Sequence, residues 1–265
     1  MNIVVCVKYV PDSTADRRFS EDLTVDRAGV DGLLSELDEY AVEQALQLKA
    51  LGEHGTVTVL TVGPEQAADA VRKALQMGCD KGVHVVDDAI AGSDALSTSL
   101  VLAEAVRKVA AWDVVMCGMA STDGSMGVVP AMLAERLGVP ALTLGSSVEV
   151  SGDAGATTLR IRRDGDTATE TIEATLPVVA SVTDQSGEAR YPSFKGIMAA
   201  KKKPVETWSL ADLGVDAELV GLSAAATVVA STRQRPPRSA GQVVIDVGGS
   251  GAQALVEFLS AKKFI

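Results

Sequence analysis

The sequence predicts an α/β protein with a doubly wound, mostly parallel sheet, an antiparallel extension and a C-terminal arm. Short β-branched runs alternate with amphipathic helical patterns through the first half, as is typical of parallel strands joined by crossover helices. After Pro140 the runs become shorter and follow one another through turn signals, and beyond Asp184 regular alternation fades. We therefore expect an α/β domain over residues 1–185 and a separate region over 186–265.

The first half of the chain supplies the strands and helices of the parallel sheet. Apolar β-branched runs predict strands at 3–7, 56–62, 82–86 and 113–117. Helical spacing of apolar residues predicts helices at 38–51, 66–77, 95–111 and 131–137. Gly52 and Gly78 follow two of these helices directly, where glycine commonly ends a helix.

The second half predicts the antiparallel extension and the arm. Strands are expected at 142–150, 157–163 and 167–174, separated by glycine-containing turns that favour a meander. One more buried strand is expected at 177–182. A closing helix is expected at 252–262, at the end of an otherwise irregular arm.

Composition excludes several classes of function. The 265 residues include 24 basic and 35 acidic ones, a formal charge of -11 that argues against nucleic-acid binding. No apolar run reaches the roughly 18 residues that span a bilayer, and the N-terminus has the pattern of a strand rather than a signal peptide. We therefore expect a cytoplasmic chain that does not insert into a membrane.

The cysteines and histidines indicate no metal site. Cys6, Cys79 and Cys117 are too scattered for a disulfide framework and are interpreted as small core residues. His54 and His84 have no partners at metal-ligand spacing. The sequence also contains no recognisable Ser/His/Asp set or nucleophile elbow, so we expect no catalytic residues.

A glycine-rich segment at 118–130 is the strongest candidate for a binding site. It follows the fourth predicted strand and runs into a helix, so its backbone N–H groups and the helix N-terminus could bind a phosphate. It lacks the lysine of a P-loop and the G-x-G-x-x-G pattern, which leaves a plain loop-to-helix turn as an equal alternative. Asp123 could bind a ribose hydroxyl or cap the loop.

An apolar group stands in the basic segment that follows Arg190. Tyr191, Phe194 and Met198 are unusual there because only 3% of the chain is aromatic. Exposed apolar anchors surrounded by charge are typical of a protein-docking site. The alternative is that these side chains pack onto the body of the protein.

Several motifs resemble the electron-transfer flavoprotein beta subunit family. They occur in the family's order and are, in this sequence, Val-Lys-Tyr-Val-Pro-Asp at 7–12, Asp-Glu-Tyr-Ala-Val-Glu at 38–43, Ala-Leu-Gln-Met-Gly at 74–78, Thr-Asp-Gly at 122–124 and Pro-Ser-Phe-Lys-Gly-Ile-Met-Ala-Ala-Lys-Lys-Lys at 192–203. The resemblance implies a Rossmann-like fold of the adenine-nucleotide-binding type. It also implies a heterodimer whose alpha subunit holds FAD, while the beta subunit binds AMP and carries no catalytic residues.

The resemblance also assigns residues to sites. By position, AMP would contact Cys6, Ser35, Val62, Gly118, Asp123, Gly124, Ser125, Met126, Gly127, Val128 and Val129. Ser13 and Leu37 correspond to positions near the flavin. The recognition loop that docks onto acyl-CoA dehydrogenases would consist of Tyr191, Phe194, Ile197, Met198, Lys201, Lys202 and Lys203.

The function implied is electron transport in fatty acid beta-oxidation. Electrons would pass from the dehydrogenases through FAD to a quinone oxidoreductase and the respiratory quinone pool, with the C-terminal arm docking on the alpha subunit. The alternative is a stand-alone nucleotide-binding regulator of the universal-stress type. Gly124 and Gly127 fit its G-x-x-G spacing, but Gly138 is followed by Val139 instead of Ser or Thr.

Overall fold

A computed structural model of the chain describes residues 1–15, 18–52, 54–109, 111–152, 157–236, 241 and 243–265. These residues form two units, Met1–Ala230 and Ser231–Ile265. The first unit contains the sheets and all but one of the α-helices within the described ranges.

Twelve strands occur in the described residues of the first unit. They are β1 (Ile3–Cys6), β2 (Tyr9–Pro11), β3 (Gly32–Leu34), β4 (Val57–Val62), β5 (Lys81–Val85), β6 (Val114–Gly118), β7 (Ala141–Gly145), β8 (Ser147–Ser151), β9 (Thr158–Asp164), β10 (Thr169–Thr175), β11 (Val178–Val182) and β12 (Val205–Trp208).

Seven α-helices are described, six of them in the first unit. They are α1 (Glu36–Ala50), α2 (Ala68–Met77), α3 (Ala95–Lys108), α4 (Val129–Leu137), α5 (Phe194–Ala200), α6 (Leu210–Leu213) and, in the second unit, α7 (Ser250–Ala261).

The central sheet has seven strands in the order β12-β5-β4-β1-β6-β11-β7, and every pairing in it is parallel. β1 is flanked by β4 on one side and β6 on the other, in register from Ile3 opposite Val57 and Val114. β8, β9 and β10 form a separate antiparallel sheet. The predicted doubly wound sheet with an antiparallel extension is confirmed.

Helices cover both faces of the central sheet, and alternate strand residues divide between two cores. Val5 and Met116 point into the core beneath α1 and α2, to which the antiparallel sheet adds Leu159 and Ile161. Val4 and Val115 point into the core formed with α3, α4 and α6. A parallel sheet covered on both faces explains why its strands read as continuous apolar runs.

The single strand expected at 142–150 is wrong. The chain forms β7, which pairs in parallel with β11 in the central sheet, and then β8, which pairs with β9. The break falls at Ser146, directly after the last residue of β7, Gly145. A Cβ added to Gly145 would lie 3.2 Å from Ile161. Periodicity could not find this break because a single residue separates the two strands.

The boundary between the two units lies later in the chain than the sequence analysis placed it. The second unit begins at Ser231, whereas the sequence analysis placed a boundary near Ser186. The difference arises because β12 pairs with β5 and so makes residues beyond Ser186 part of the central sheet. The predicted closing helix is confirmed as α7. No described helix is long and apolar enough to cross a membrane.

Candidate functional site

A cavity of about 270 Å³ lies at the carboxyl ends of β1, β4 and β6. β1 and β6 are neighbours, but the chain leaves β1 toward β4 and leaves β6 toward β7, on the opposite side of the sheet. Ligands of open parallel sheets bind at such a switch in strand order. The topology therefore places the cavity where a small-molecule site is expected.

Seven of the residues assigned to AMP by position line this cavity. They are Cys6, Val62, Gly118, Gly124, Met126, Gly127 and Val129. Ser125 and Val128 belong to the same loop but do not line it. Ser35 is fully buried just before α1, and its Oγ has no hydrogen-bond partner within the described ranges.

The loop at 118–129 presents backbone donors beside the cavity. Ser125 and Gly127 adopt left-handed φ values of 53° and 66°. Ser125 N–H donates to the Ser121 carbonyl at 2.9 Å, whereas the N–H groups of Met126 and Gly127 find no acceptor among the described atoms. α4 follows directly, with Pro130 in its first turn. Free N–H groups next to a helix N-terminus favour an anion.

Gly118 allows α1 to approach the end of β6. An added Cβ there would lie 2.5 Å from Oδ1 of Asp38 and 2.7 Å from the Leu37 carbonyl oxygen. Both distances are shorter than van der Waals contact, so a side chain at this position would displace the first turn of α1 from the cavity wall.

Asp38 is a buried acid in the cavity wall that the sequence analysis did not select as a site residue. Its Oδ2 accepts a hydrogen bond from Lys8 N–H at 2.8 Å, and the side chain lies in the first turn of α1. Burial raises the pKa of Asp38 to about 7, against the opposing effect of the N–H groups and the Lys8 ammonium. The signal that could have identified Asp38 from the sequence was its place in the Asp-Glu-Tyr motif.

Asp123 belongs to the loop, but its buried side chain does not line the cavity. Its carboxylate pairs with Lys8 Nζ at 2.9 Å and with the Arg27 guanidinium, and its side chain is 1% exposed. Burial alone would raise its pKa, but the charges of Lys8 and Arg27 outweigh burial and hold the pKa of Asp123 well below its usual range. Its Oδ1 also accepts the N–H of the next residue, Gly124, at 2.6 Å.

Other cavity residues were also missed from the sequence. Two of them are Lys8, which follows β1, and Asp38 in α1. The others lie at or just before the start of α3 and are Ser93, Asp94 and Thr98. Asp94 caps α3 by accepting the Ser97 N–H at 3.0 Å. Of the positions assigned to the flavin, Ser13 is exposed and Leu37 is half-buried. The described residues contain no cluster of three or more metal-ligating side chains.

A second surface lies at α5. Tyr191 is 91% exposed and Phe194 is 80% exposed, and Ile197 and Met198 add 37% and 50%. We call these four residues the apolar patch. The segment expected as a loop forms helix α5, capped by Ser193, whose Oγ accepts the Gly196 N–H at 3.0 Å. The alternative that Tyr191 and Phe194 pack onto the body is excluded by their exposure.

The three lysines at the end of α5 differ in their surroundings. Lys201 and Lys202 are exposed beside the apolar patch. Lys203 turns back and donates to the Leu75 carbonyl at 2.9 Å, and its burial lowers the pKa of its ammonium group. Two of the three predicted docking charges are therefore accessible, and the third fastens the segment to α2.

Comparison with known proteins identifies a family. Residues 22–213 match the family described as electron transfer flavoprotein domain. The chain is 45% identical over 269 residues to the electron transfer flavoprotein subunit beta of Mycobacterium tuberculosis, covering 100% of this chain and 99% of the relative. It is 33% identical over 268 residues to that of Megasphaera elsdenii, covering 99% and 97%.

A further relative belongs to a named complex. The chain is 33% identical over 262 residues to the caffeyl-CoA reductase-Etf complex subunit CarD of Acetobacterium woodii, covering 97% of this chain and 98% of the relative.

Proposed function

The chain belongs to the electron transfer flavoprotein family as a beta subunit, and on that premise we propose the details of how it serves as an electron carrier. It pairs with an alpha subunit that holds most of the FAD. The heterodimer is cytoplasmic, accepts electrons from acyl-CoA dehydrogenases in fatty acid beta-oxidation, and passes them to a quinone oxidoreductase and the quinone pool. The beta chain itself contributes no catalytic residues.

FAD, when bound, supplies the redox chemistry of the carrier. Ser13 and Leu37 are accessible enough to contact a flavin held by the alpha subunit, since one is exposed and the other half-buried. The role of this chain is to orient and shield the cofactor and to recognise the electron donor.

The cavity at the end of β1 and β6 takes AMP in this proposal. Its volume of about 270 Å³ is just below the roughly 300–1,000 Å³ usual for small-molecule sites, which suits a mononucleotide better than a dinucleotide. Gly124 and Gly127 keep the loop backbone open, and the N–H groups of Met126 and Gly127 are available to a phosphate. Lys8, 40% exposed, adds a positive charge beside the loop.

The nucleotide assignment is tested on the heterodimer as purified. Acid extraction followed by chromatography is expected to release AMP in proportion to the protein. Recovery of a second flavin in place of AMP, or of no nucleotide beyond the FAD of the alpha subunit, would contradict the assignment.

The apolar patch docks the acyl-CoA dehydrogenase. The observation that carries this assignment is the exposure of Tyr191 and Phe194 beside Lys201 and Lys202. An exposed aromatic residue that enters a partner pocket can supply a large share of the binding energy. The lysines would attract an acidic rim around that pocket.

Phe194→Asp tests this docking role. In the complete heterodimer, the KM for the reduced dehydrogenase is expected to rise by at least about tenfold, since a charge would replace the apolar side chain that enters the partner's pocket. Leu219→Asp is the control, because Leu219 is also exposed, at 56%, but lies outside the patch. Electron transfer as fast in Phe194→Asp as in the wild type would show that the docking assignment is wrong.

The nucleotide-binding regulator remains the second candidate from the sequence. The cavity is compatible with it, but the matches to electron transfer flavoprotein beta subunits extend over nearly the whole chain. No feature of the described residues favours the regulator over the carrier.

A further inference from the structure

The segment that carries the apolar patch is fastened to the body at several points. Gln44 Nε2 donates to the Ser186 carbonyl at 2.7 Å before the patch, and Lys203 holds the Leu75 carbonyl after it. Between them, Gly196 lets α5 lie against α2, since an added Cβ would come within 2.5 Å of the Gln76 carbonyl oxygen. The patch therefore stands on an anchored segment.

The strongest of these fastenings is an ion pair between Glu43 and Arg190. Glu43 Oε2 accepts from Arg190 Nε at 2.6 Å, and Oε1 accepts from Nη2 at 2.8 Å. The Arg190 backbone N–H also donates to Oε2 at 3.2 Å. Hydrogen bonding from the Arg190 side chain, opposed by burial, holds the pKa of Glu43 below its usual range.

The two partners of this pair differ in burial. The Glu43 side chain is 7% exposed and fixed on α1, while the Arg190 side chain is 46% exposed. Gln47 Nε2 donates to Glu43 Oε1 at 2.9 Å and so holds the carboxylate from its own helix. The buried carboxylate of Glu43, held in a fixed orientation by Gln47, thus binds the partly exposed guanidinium of Arg190.

The position of Arg190 in the chain connects the Glu43–Arg190 ion pair to the apolar patch. Arg190 directly precedes Tyr191 and lies four residues before Phe194. A bidentate guanidinium–carboxylate pair fixes direction as well as distance, because the guanidinium is planar. Ordering a segment in advance removes part of the entropy that binding would otherwise cost.

We infer that the Glu43–Arg190 ion pair is a positioning device that holds Tyr191 and Phe194 in the orientation in which they enter the dehydrogenase. The inference rests on the proposed docking function. It adds that the docking segment is pre-organised by α1 and does not fold on contact with its partner.

Removing the charge of Glu43 tests the inference in the complete FAD-containing heterodimer. Glu43→Gln is expected to raise the Kd for the acyl-CoA dehydrogenase, measured by biolayer interferometry, by about tenfold. The KM for the dehydrogenase should rise by a similar factor, while kcat and flavin content stay at wild-type values. Amide hydrogen exchange at 190–200 should become faster.

Two further variants separate positioning from general stability. Arg190→Lys keeps the positive charge but loses the two parallel hydrogen bonds of the guanidinium. Its Kd for the acyl-CoA dehydrogenase should therefore lie between those of the wild type and Glu43→Gln. This variant also serves if Glu43→Gln does not fold, because Arg190 is nearly half-exposed. Glu188→Gln is the matched control, since this exposed carboxylate has no partner among the described residues.

The outcomes distinguish the two proposals. If Phe194→Asp weakens binding while Glu43→Gln and Arg190→Lys bind as the wild type does, the positioning role is overturned and the docking surface stands. A lower kcat or flavin content with an unchanged Kd also overturns positioning. If Phe194→Asp binds with wild-type affinity, the docking function itself fails.

Discussion

Asp38 is a single residue whose environment sets a measurable property of the whole chain. It is 7% exposed and lies in the cavity wall at the first turn of α1. Its pKa rises from a usual value near 3.8 to about 7 because burial disfavours the carboxylate. The folded state therefore holds a proton on Asp38 under conditions where the unfolded state has released it.

This shift predicts a pH dependence of stability. Between about pH 4 and pH 7 the folded state binds more protons than the unfolded state, so the free energy of unfolding falls as the pH rises, at most by about 1.4 kcal/mol per unit. Asp38→Asn should remove that contribution. Urea unfolding of the wild type and the variant between about pH 5 and pH 8 measures the difference.

The control for this prediction is an exposed acid. Asp184→Asn removes a carboxylate from the surface and should leave the pH dependence of the wild type unchanged. Parallel curves for the wild type and Asp38→Asn would mean that Asp38 is ionised in the folded state throughout this range.

Gly118 gives a second prediction at the residue scale. Gly118→Ala places a Cβ 2.5 Å from the Asp38 carboxylate and close to the α1 backbone, so we expect a loss of about 1–3 kcal/mol in the free energy of unfolding. Gly52→Ala is the control, because its nearest contact would be 3.7 Å and its effect should stay within about 0.5 kcal/mol. Equal losses in urea titrations of both variants would contradict the close approach.

Residue roles were the least predictable level from sequence. The glycine-rich loop was found because glycines at a strand-to-helix junction have a direct physical meaning. No local pattern encodes the burial of Asp38 or the pairing of Asp123 with Arg27. The two residues of that pair are 96 positions apart in the chain. Asp38 and Asp123 each lie in a family motif, but neither motif shows that Asp38 lines the cavity and that Asp123 does not.

At the scale of elements, α5 turns a sequence motif into a presented surface. Its seven residues are capped by Ser193 and held against α2 at Gly196, leaving Phe194 and Met198 toward solvent. The sequence analysis expected a loop because regular alternation fades beyond Asp184 and the segment is basic. A one-sided helix of two turns carries too little periodicity to be recognised.

Gly196→Ala tests the packing of α5 on α2. The added Cβ would lie 2.5 Å from the Gln76 carbonyl oxygen, so α5 must move away and its amides should exchange faster. Hydrogen exchange by mass spectrometry over 194–200 measures this change. Lys195→Ala, on an exposed side chain of the same helix, should leave exchange at the wild-type rate; unchanged exchange in Gly196→Ala would contradict the packing.

The strands illustrate what periodicity can and cannot resolve. Buried parallel strands such as β1, β4 and β6 were predicted because each is a single short apolar run. β7 and β8 were merged because only Ser146 separates them. β12 was missed because its membership of the central sheet depends on pairing with β5, more than 100 residues earlier in the chain.

At the scale of the whole molecule, the two units differ in how far their apolar side chains are buried. The first unit has two apolar cores on the faces of its sheet. In the second unit α7 exposes Leu255, Val256 and Phe258 at 57%, 54% and 50%. We propose that a partner covers this exposed apolar surface, and that the partner is the alpha subunit.

A chain ending at Ala230 tests this division. It should remain folded, with the far-ultraviolet circular dichroism of a sheet and helix protein, because its cores lie within Met1–Ala230. When produced together with the alpha subunit, it should co-purify with less of that subunit than the full chain does. Equal recovery of the alpha subunit with both chains would show that the arm does not contribute to docking.

The most direct test of the account is the visible absorption spectrum of the tagged chain purified natively from its own cells, compared with the chain produced alone. A beta subunit of an electron transfer flavoprotein should show flavin absorbance only when a second subunit co-purifies with it. A colourless chain without a partner in both preparations would contradict the assignment as an electron carrier and favour the nucleotide-binding regulator.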